Sequence, residues 1–258
     1  MTRSGSAAVA GSGSGTGRRA PLSVVVLAYD EAENVAEVLA ELRAWLETEE
    51  PEAEIVFVDD GSRDATAHIA HEGLAGARAT IERHARNRGI GAALKTGVRV
   101  ATGDWVTFLP ADGQVPPEAI GMLRAAATPG VDVVLSVYDH RDDGSYRRIL
   151  SAGVRALILA VHGVRLRSDG PYLFRREIFV PEQLAPDSFF LNFEFPIRAI
   201  GAGLGVTTTT IPCRARLAGH SKSTGLGRIA GVATDLLGLR VRRARETVRR
   251  ARGIAGSP

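Results

Sequence analysis

Three short stretches of this chain end an apolar run on acids. FLPADGQ (108–114) stops at Pro110 and then presents Asp112, Gly113 and Gln114; LSVVVLA (22–28) runs into Tyr29, Asp30 and Glu31; EIVFV (54–58) runs into Asp59 and Asp60. A carboxylate can accept hydrogen bonds from ring N–H groups and sugar hydroxyls, and it can ligate a hard cation. Each acid also has a plainer use. An Asp at a strand end commonly forms a turn by bonding its own backbone, and Asp30, Ser62 and Asp64 are candidate helix N-caps. Brought together, the acids would repel one another unless a cation or hydrogen-bond donors offset them. Such clustering favours a ligand site.

The surrounding pattern supplies elements that would cluster them. LSVVVLA is continuous, apolar and β-branched, the signature of a strand buried on both faces of a parallel sheet. Val35, Val38, Leu39, Leu42 and Leu46 follow at helical spacing. EIVFVDDGS predicts a second buried strand, DATAHIAHEGLA a helix and ATIER (79–83) a short strand. GIGAALKTGVRVA (89–101) predicts a small-residue helix after a glycine turn, and WVTFLPA (105–111) a further strand. Strands alternating with helices imply βαβ crossovers. In open sheets of this kind ligands bind beyond the carboxyl ends of the strands, where these acids fall.

Composition sets the limits. The 258 residues are 45% apolar and 24% charged, which suits one α/β domain with a substantial core. The single cysteine, Cys213, excludes an internal disulfide framework and leaves the cytoplasm as the default compartment. Residues 1–20 hold five Gly and four Ser, without an apolar core for a signal peptide, and are expected to be a disordered tail. No run reaches the roughly 18 apolar residues of a membrane span. The net charge is +3, yet residues 228–252 alone carry eight Arg against Asp235 and Glu246. That segment lacks aromatic residues for stacking bases, so nucleic acid is not an expected partner.

Four stretches, in order, carry a resemblance: LSVVVLAYDEAENV, EIVFVDDGSRDAT, NRGIGAALKTGVRVATGDWVTFLPADGQVPPE and DGPYLFRREIF. Together they resemble the inverting family 2 glycosyltransferases of GT-A fold, an α/β, Rossmann-like, mostly parallel sheet flanked by helices. Within that family the chain is most similar to the polyprenyl-phosphate glycosyltransferases. The resemblance implies a catalytic domain over 21–225, between the tail and a basic helical segment at 226–258.

The resemblance also implies roles. Ala28, Tyr29, Glu31 and Asp59 would contact the nucleotide's base and ribose, while Asp60 either joins them or holds the turn. Gly89 and Gly91 would let backbone approach the nucleotide. Lys95 would face the diphosphate or solvate a helix face. Ala111 and Asp112 fall at the family's DxD-type metal motif, with Pro110 in place of the first acid. Asp112 and Gln114 would then hold Mg²⁺ or Mn²⁺, which keeps waters and takes diphosphate oxygens. Arg147 and Arg148 would hold an acceptor phosphate, Asp169 and Glu194 the sugar, and Arg216 and Lys222 would close over phosphates.

The expected reaction is transfer of a sugar from a UDP- or GDP-sugar to a polyprenyl phosphate with inversion. An acceptor phosphate is already anionic, so positioning and electrostatics would suffice. The alternative is a small hydroxyl acceptor, which needs a base such as Glu194 or Asp169. A binding protein of the same fold without turnover is a third class, suggested by Pro110. At the tail, Ile229, Val232, Leu236 and Leu239 form an apolar stripe leading into arginines. This suggests either a helix on an anionic membrane surface or one packed on the domain.

Overall fold

The computed structural model describes residues 20–139, 145–185, 187–216 and 234–245, with the side chains of 145–151 excepted. Expectations resting on Ile229, Val232, Lys222 and the first nineteen residues lie outside that set. The strands are β1 (Leu22–Ala28), β2 (Glu54–Asp59), β3 (Ala79–Arg83), β4 (Trp105–Pro110), β5 (Val133–Tyr138), β6 (Leu173–Arg175) and β7 (Val206–Ile211). Six helices are interleaved: α1 (Val35–Glu49), α2 (Thr66–Gly73), α3 (Ile90–Val100), α4 (Glu118–Ala126), α5 (Ser145–His162) and α6 (Leu191–Gly201). A further helix, α7, covers 234–245.

The sheet order is β3-β2-β1-β4-β6-β5-β7, and every neighbouring pair is parallel except those that β6 makes. Helices cover both faces. On one, Val24, Val26 and Phe57 meet Leu39 and Leu42 of α1 and Ile120 of α4. On the other, Val25, Leu27 and Phe108 meet Leu94 of α3, Ile158 of α5 and Phe195 of α6. Double coverage is why β1, β2 and β4 read as unbroken apolar runs rather than alternating ones. The five apolar positions picked out on α1 are its buried residues.

Small residues let α3 approach the sheet. A Cβ added at Gly97 would lie 2.3 Å from Val25 Cγ1, so this helix sits nearer the strands than a larger side chain permits. Between β4 and β5 the chain inserts β6, which pairs with β4 at only two positions, Trp105 with Arg175 and Val106 with Phe174. It meets β5 at two more. An aromatic cluster backs this narrow seam: Tyr172 packs against Phe108, Phe174 and Phe195 at centroid separations of 4.9, 5.6 and 5.6 Å. Complete burial pushes the Tyr172 phenol far up from its ordinary pKa.

At the amino edge a buried acid knits three segments. Glu54 Oε1 accepts from Ser23 Oγ at 2.6 Å and from the Thr102 backbone and hydroxyl at 2.5 and 2.9 Å, while Gly103 N–H donates to Ser23 Oγ at 2.8 Å. Burial alone would raise the Glu54 carboxyl, but these donors outweigh it and hold the pKa below the ordinary 4.5. A depressed pKa adds stability that is complete above that ordinary value and fades as pH falls toward the folded one. Glu54→Gln should therefore cost about 2 kcal/mol at pH 7, the scale of a hydrogen bond to a charged group. Urea unfolding at pH 7 and pH 3.5 should show the two proteins converging at low pH; an unchanged gap would mean that the charge is not the source.

Candidate functional site

Parallel register brings the strand ends into line. Ala28 is paired with Asp59, Asp59 with Arg83 and Leu27 with Pro110. The sheet continues a step beyond: Asp60 N–H donates to Ala28 O at 2.8 Å, and Ala111 N–H to Leu27 O at 2.9 Å. Ala28 and Ala111 thus spend these backbone groups on the sheet and form the buried floor of the edge. Tyr29 is half-buried beside them.

Asp112 forms the turn expected of a strand-end acid with one oxygen and meets a cation of the fold with the other. Oδ1 accepts from Gln114 N–H at 3.1 Å, an Asx turn. Oδ2 accepts from Arg216 at 2.8 Å. The same guanidinium reaches Glu31 at 3.0 and 3.4 Å, so one cation bridges acids from two strand ends. Glu31 also accepts from Asn34 Nδ2 at 2.6 Å. Asp59 is fully buried; its Oδ1 accepts from Ser62 N–H at 2.9 Å, and Arg83 Nε lies 2.9 Å from Oδ2. A ligand reaching Asp59 must therefore replace Arg83.

The expected caps are used differently. The N-cap positions of α1 and α2 are Asn34 and Ala65, neither with a side-chain capping bond. Asp64 Oδ1 does accept from the N–H of Thr66, the first residue of α2, at 3.0 Å, and Asp30, Ser62 and Asp64 also stitch the two loops together. Asp30 N–H donates to Ser62 Oγ, Arg63 N–H to Asp30 Oδ1 and Ala32 N–H to Asp64 Oδ2, at 2.9, 2.8 and 3.1 Å. Asp30 takes a positive φ of 49°, a conformation that Asp tolerates better than most residues. Strain of this kind persists where surrounding bonds enforce it.

Asp60 holds the turn. Its Oδ1 accepts from Arg88 N–H at 2.9 Å and its Oδ2 from Gly89 N–H at 2.7 Å. His84 Nδ1 lies 2.6 Å from Oδ1, and His84 Nε2 lies 2.9 Å from Thr96 Oγ1. Gly89 and Gly91 lie against the chain's own loop. A Cβ at Gly89 would stand 2.7 Å from Asp187 O, and one at Gly91 would stand 2.5 Å from Ser188 O. It is the chain's own loop that needs these glycines, and Ala92 N–H donates to Asp187 O at 3.0 Å.

Lys95 is likewise buried, with Nζ 2.9 Å from Asp187 Oδ1; a solvated helix face does not describe it. Burial alone would raise the Asp187 carboxyl, but Lys95, aided by Arg88, holds it below the ordinary range.

Asp169 stands on the same edge as Asp112. Its N–H donates to Ser136 O at 2.8 Å, and its carboxylate is exposed, 3.9 Å from Arg155 of α5. Gly170 is packed so closely that a Cβ would meet Ser136 Oγ at 2.8 Å and the Tyr138 ring at 3.0 Å. Arg147 and Arg148 fall in the opening turn of α5, as expected.

Glu194 has a different place. It is fully buried, and its oxygens accept from Arg198 at 2.8 Å and from Arg242 of α7 at 2.9 Å. With both oxygens engaged by cations of the fold, it ties α6 to α7. Leu236 and Leu239 of α7 are completely buried in the core, and His162 Nε2 lies 3.0 Å from Leu236 O. This part of the apolar stripe thus packs on the domain, not on a membrane. Sequence reasoning missed Arg83, His84, Arg155 and Asp187, whose partners lie on other elements.

Removing the clearance at the glycine turn tests that packing. Gly91→Ala should destabilise the fold by about 2 kcal/mol, the scale of overpacking, because the Cβ meets backbone that cannot rotate away. Thermal unfolding would show it, and a wild-type melting temperature would mean that loop 187–188 yields freely.

The glycosyl transferase family 2 model matches residues 23–191. The undecaprenyl-phosphate 4-deoxy-4-formamido-L-arabinose transferase of Pseudomonas fluorescens (strain SBW25) is 34% identical over 222 residues, covering 84% of this chain; the chain spans 63% of that relative's length. Among solved structures, glucosyl-3-phosphoglycerate synthase from Mycobacterium tuberculosis with Mn²⁺, UDP and glucosyl-3-phosphoglycerate superposes with a TM-score of 0.65 at 21% identity, over 87% of this chain and 80% of that one. Its complex with Mg²⁺ and UDP gives 0.64 at 19%, over 87% and 79%. At such identities the likeness is one of fold. The family match covers well over half of the chain and makes this protein a member of glycosyl transferase family 2.

Proposed function

We propose that the protein transfers a sugar from a UDP- or GDP-sugar to a polyprenyl phosphate, with inversion at the anomeric carbon. The observation that carries this reading is the carboxyl edge, where Glu31, Asp59 and Asp112 are gathered and offset by Arg216 and Arg83. The acceptor class is supported by the Pseudomonas relative, an undecaprenyl-phosphate transferase by name. In this reading Glu31 and Asp59 accept from the base and ribose, Asp169 from the sugar hydroxyls, and Arg147 and Arg148 hold the acceptor phosphate bidentately.

A divalent cation fits the edge in a limited way. Among the described residues no three His, Cys, Asp or Glu side chains converge as a cage, but Asp112 already offers one oxygen to a cation. Asp112 would hold Mg²⁺ or Mn²⁺, with Gln114 beside it and diphosphate oxygens completing the shell. Such a cation offsets charge on the leaving diphosphate. The chain's own residues then orient the phosphate acceptor in line with the anomeric carbon, and no protein base is required.

A panel of UDP- and GDP-sugars tests the reading, assayed with Mn²⁺ or Mg²⁺ against a short polyprenyl phosphate and against hydroxyl acceptors. Turnover with the lipid phosphate and an inverted product supports it; turnover with hydroxyl acceptors alone overturns it. Asp112→Asn keeps the Asx turn and removes the charge. It should lower turnover by about a hundredfold or more, several kcal/mol of charge stabilisation being at stake, with the melting temperature preserved.

No described helix is long and apolar enough to cross a membrane. The reading therefore places the enzyme on a membrane surface through α7, where Leu237 and Val241 are exposed beside Arg240 and Arg245. Each arginine near an anionic bilayer contributes about 1 kcal/mol. The wild type should sediment with anionic vesicles at low salt and release as salt rises, and Leu237→Asp should bind more weakly. Equal sedimentation of both proteins, or none of either, would remove α7 as the contact.

A further inference from the structure

The segment leaving β7 crosses the β4 turn and is pinned there by one arginine. Arg214 N–H donates to Gln114 O at 2.9 Å, Arg214 Nε donates to Gly113 O at 2.6 Å, and Arg214 Nη1 pairs with Glu41 at 3.1 Å. Glu41 raises the Arg214 pKa still further. Two residues on, Arg216 reaches back over the same turn and lies between Glu31 and Asp112. Both acids are mostly buried, with side chains 11% exposed, and the guanidinium between them is 19% exposed. Two carboxylates this poorly solvated would raise each other's energy if left unpaired. Arg216 is the counter-ion that the two acids share.

We propose that Arg216 is a built-in cation that occupies the divalent-metal position until the sugar nucleotide arrives. The inference rests on the reading of Asp112 as the metal ligand. Asp112 has two oxygens, one committed to Gln114 N–H and the other to Arg216. A metal bound at about 2.1 Å needs the second oxygen, and its charge repels a guanidinium held 2.8 Å from the same atom. Metal therefore enters only as Arg216 leaves.

A diphosphate makes that exchange favourable on both sides. It supplies the metal with further oxygens, and it offers the guanidinium fork a bidentate partner of its own. Because Arg214 stays pinned, the exchange is confined to the Arg216 side chain. Metal and nucleotide thus become mutually dependent ligands, each raising the other's affinity by the same factor.

Mn²⁺ binding to the full chain, followed by the free-ion electron paramagnetic resonance signal with and without UDP, tests this directly. Wild type should bind Mn²⁺ weakly alone and much more tightly with UDP. Arg216→Gln should bind Mn²⁺ at least tenfold more tightly than wild type without UDP, and the gain from adding UDP should shrink. Arg216→Lys, which keeps the charge but cannot bridge two acids, should fall between them, and it carries the test alone if the Gln variant does not fold. If wild type binds Mn²⁺ with UDP but both variants match its weak binding alone, the built-in cation is wrong and the metal reading stands. If wild type fails to bind Mn²⁺ with UDP and, followed in the same way, with GDP, the metal reading fails and takes this inference with it.

Discussion

The constraint on which this structure depends is the neutralisation of acids at one edge of a buried parallel sheet. Covering both faces with helices forces the strands to be apolar along their length, so polarity is postponed to the ends. Parallel direction then gathers those ends on one side. Each acid meets its own donor there: Asp59 with Arg83, Asp60 with His84 and two backbone N–H groups, Glu31 and Asp112 with Arg216. The partners come from β3, the turn before α3 and the segment after β7. Folding of distant parts of the chain is thereby tied to the condition of one small region.

Much of this was legible in the residues. The bounds of β1 and the buried face of α1 followed from an unbroken apolar run and helical spacing, because side-chain period reports burial directly. The strand-end acids were legible because a charge after such a run is conspicuous. Partners were not. Lys95 and Asp187 are far apart in the chain, and nothing local to GIGAALKTGV shows that a loop near 187 lies over it. Two glycines beside a lysine fit an anion cradle and a tight loop contact equally well. Only the position of the Asp187 carbonyl reveals the loop contact.

Glu194 teaches the same lesson from the opposite side. A carboxylate on an apolar helix face is rightly taken as purposeful, but its purpose depends on what lies across from it. Arg198 is one helical turn away and visible in the sequence; Arg242 is 48 positions on and is not. A charge that holds two guanidiniums costs less to bury than one left bare, although removing either partner would leave it exposed to the full desolvation cost.

The narrow strand β6 gives the sheet an uneven stiffness. Every other neighbouring pair is laced over five or six residue positions, whereas β6 joins β4 by two and β5 by two. In mechanical terms the sheet is two plates riveted along one line, with the aromatic rings of Phe108, Tyr172, Phe174 and Phe195 as the gasket. One plate carries Asp112 and Glu31. The other carries Ser136, from which Asp169 hangs. The two sets of polar groups therefore face each other across the seam that carries the fewest paired positions in the sheet, and the segment after β7 bridges it through Arg214 to Gly113 and Gln114.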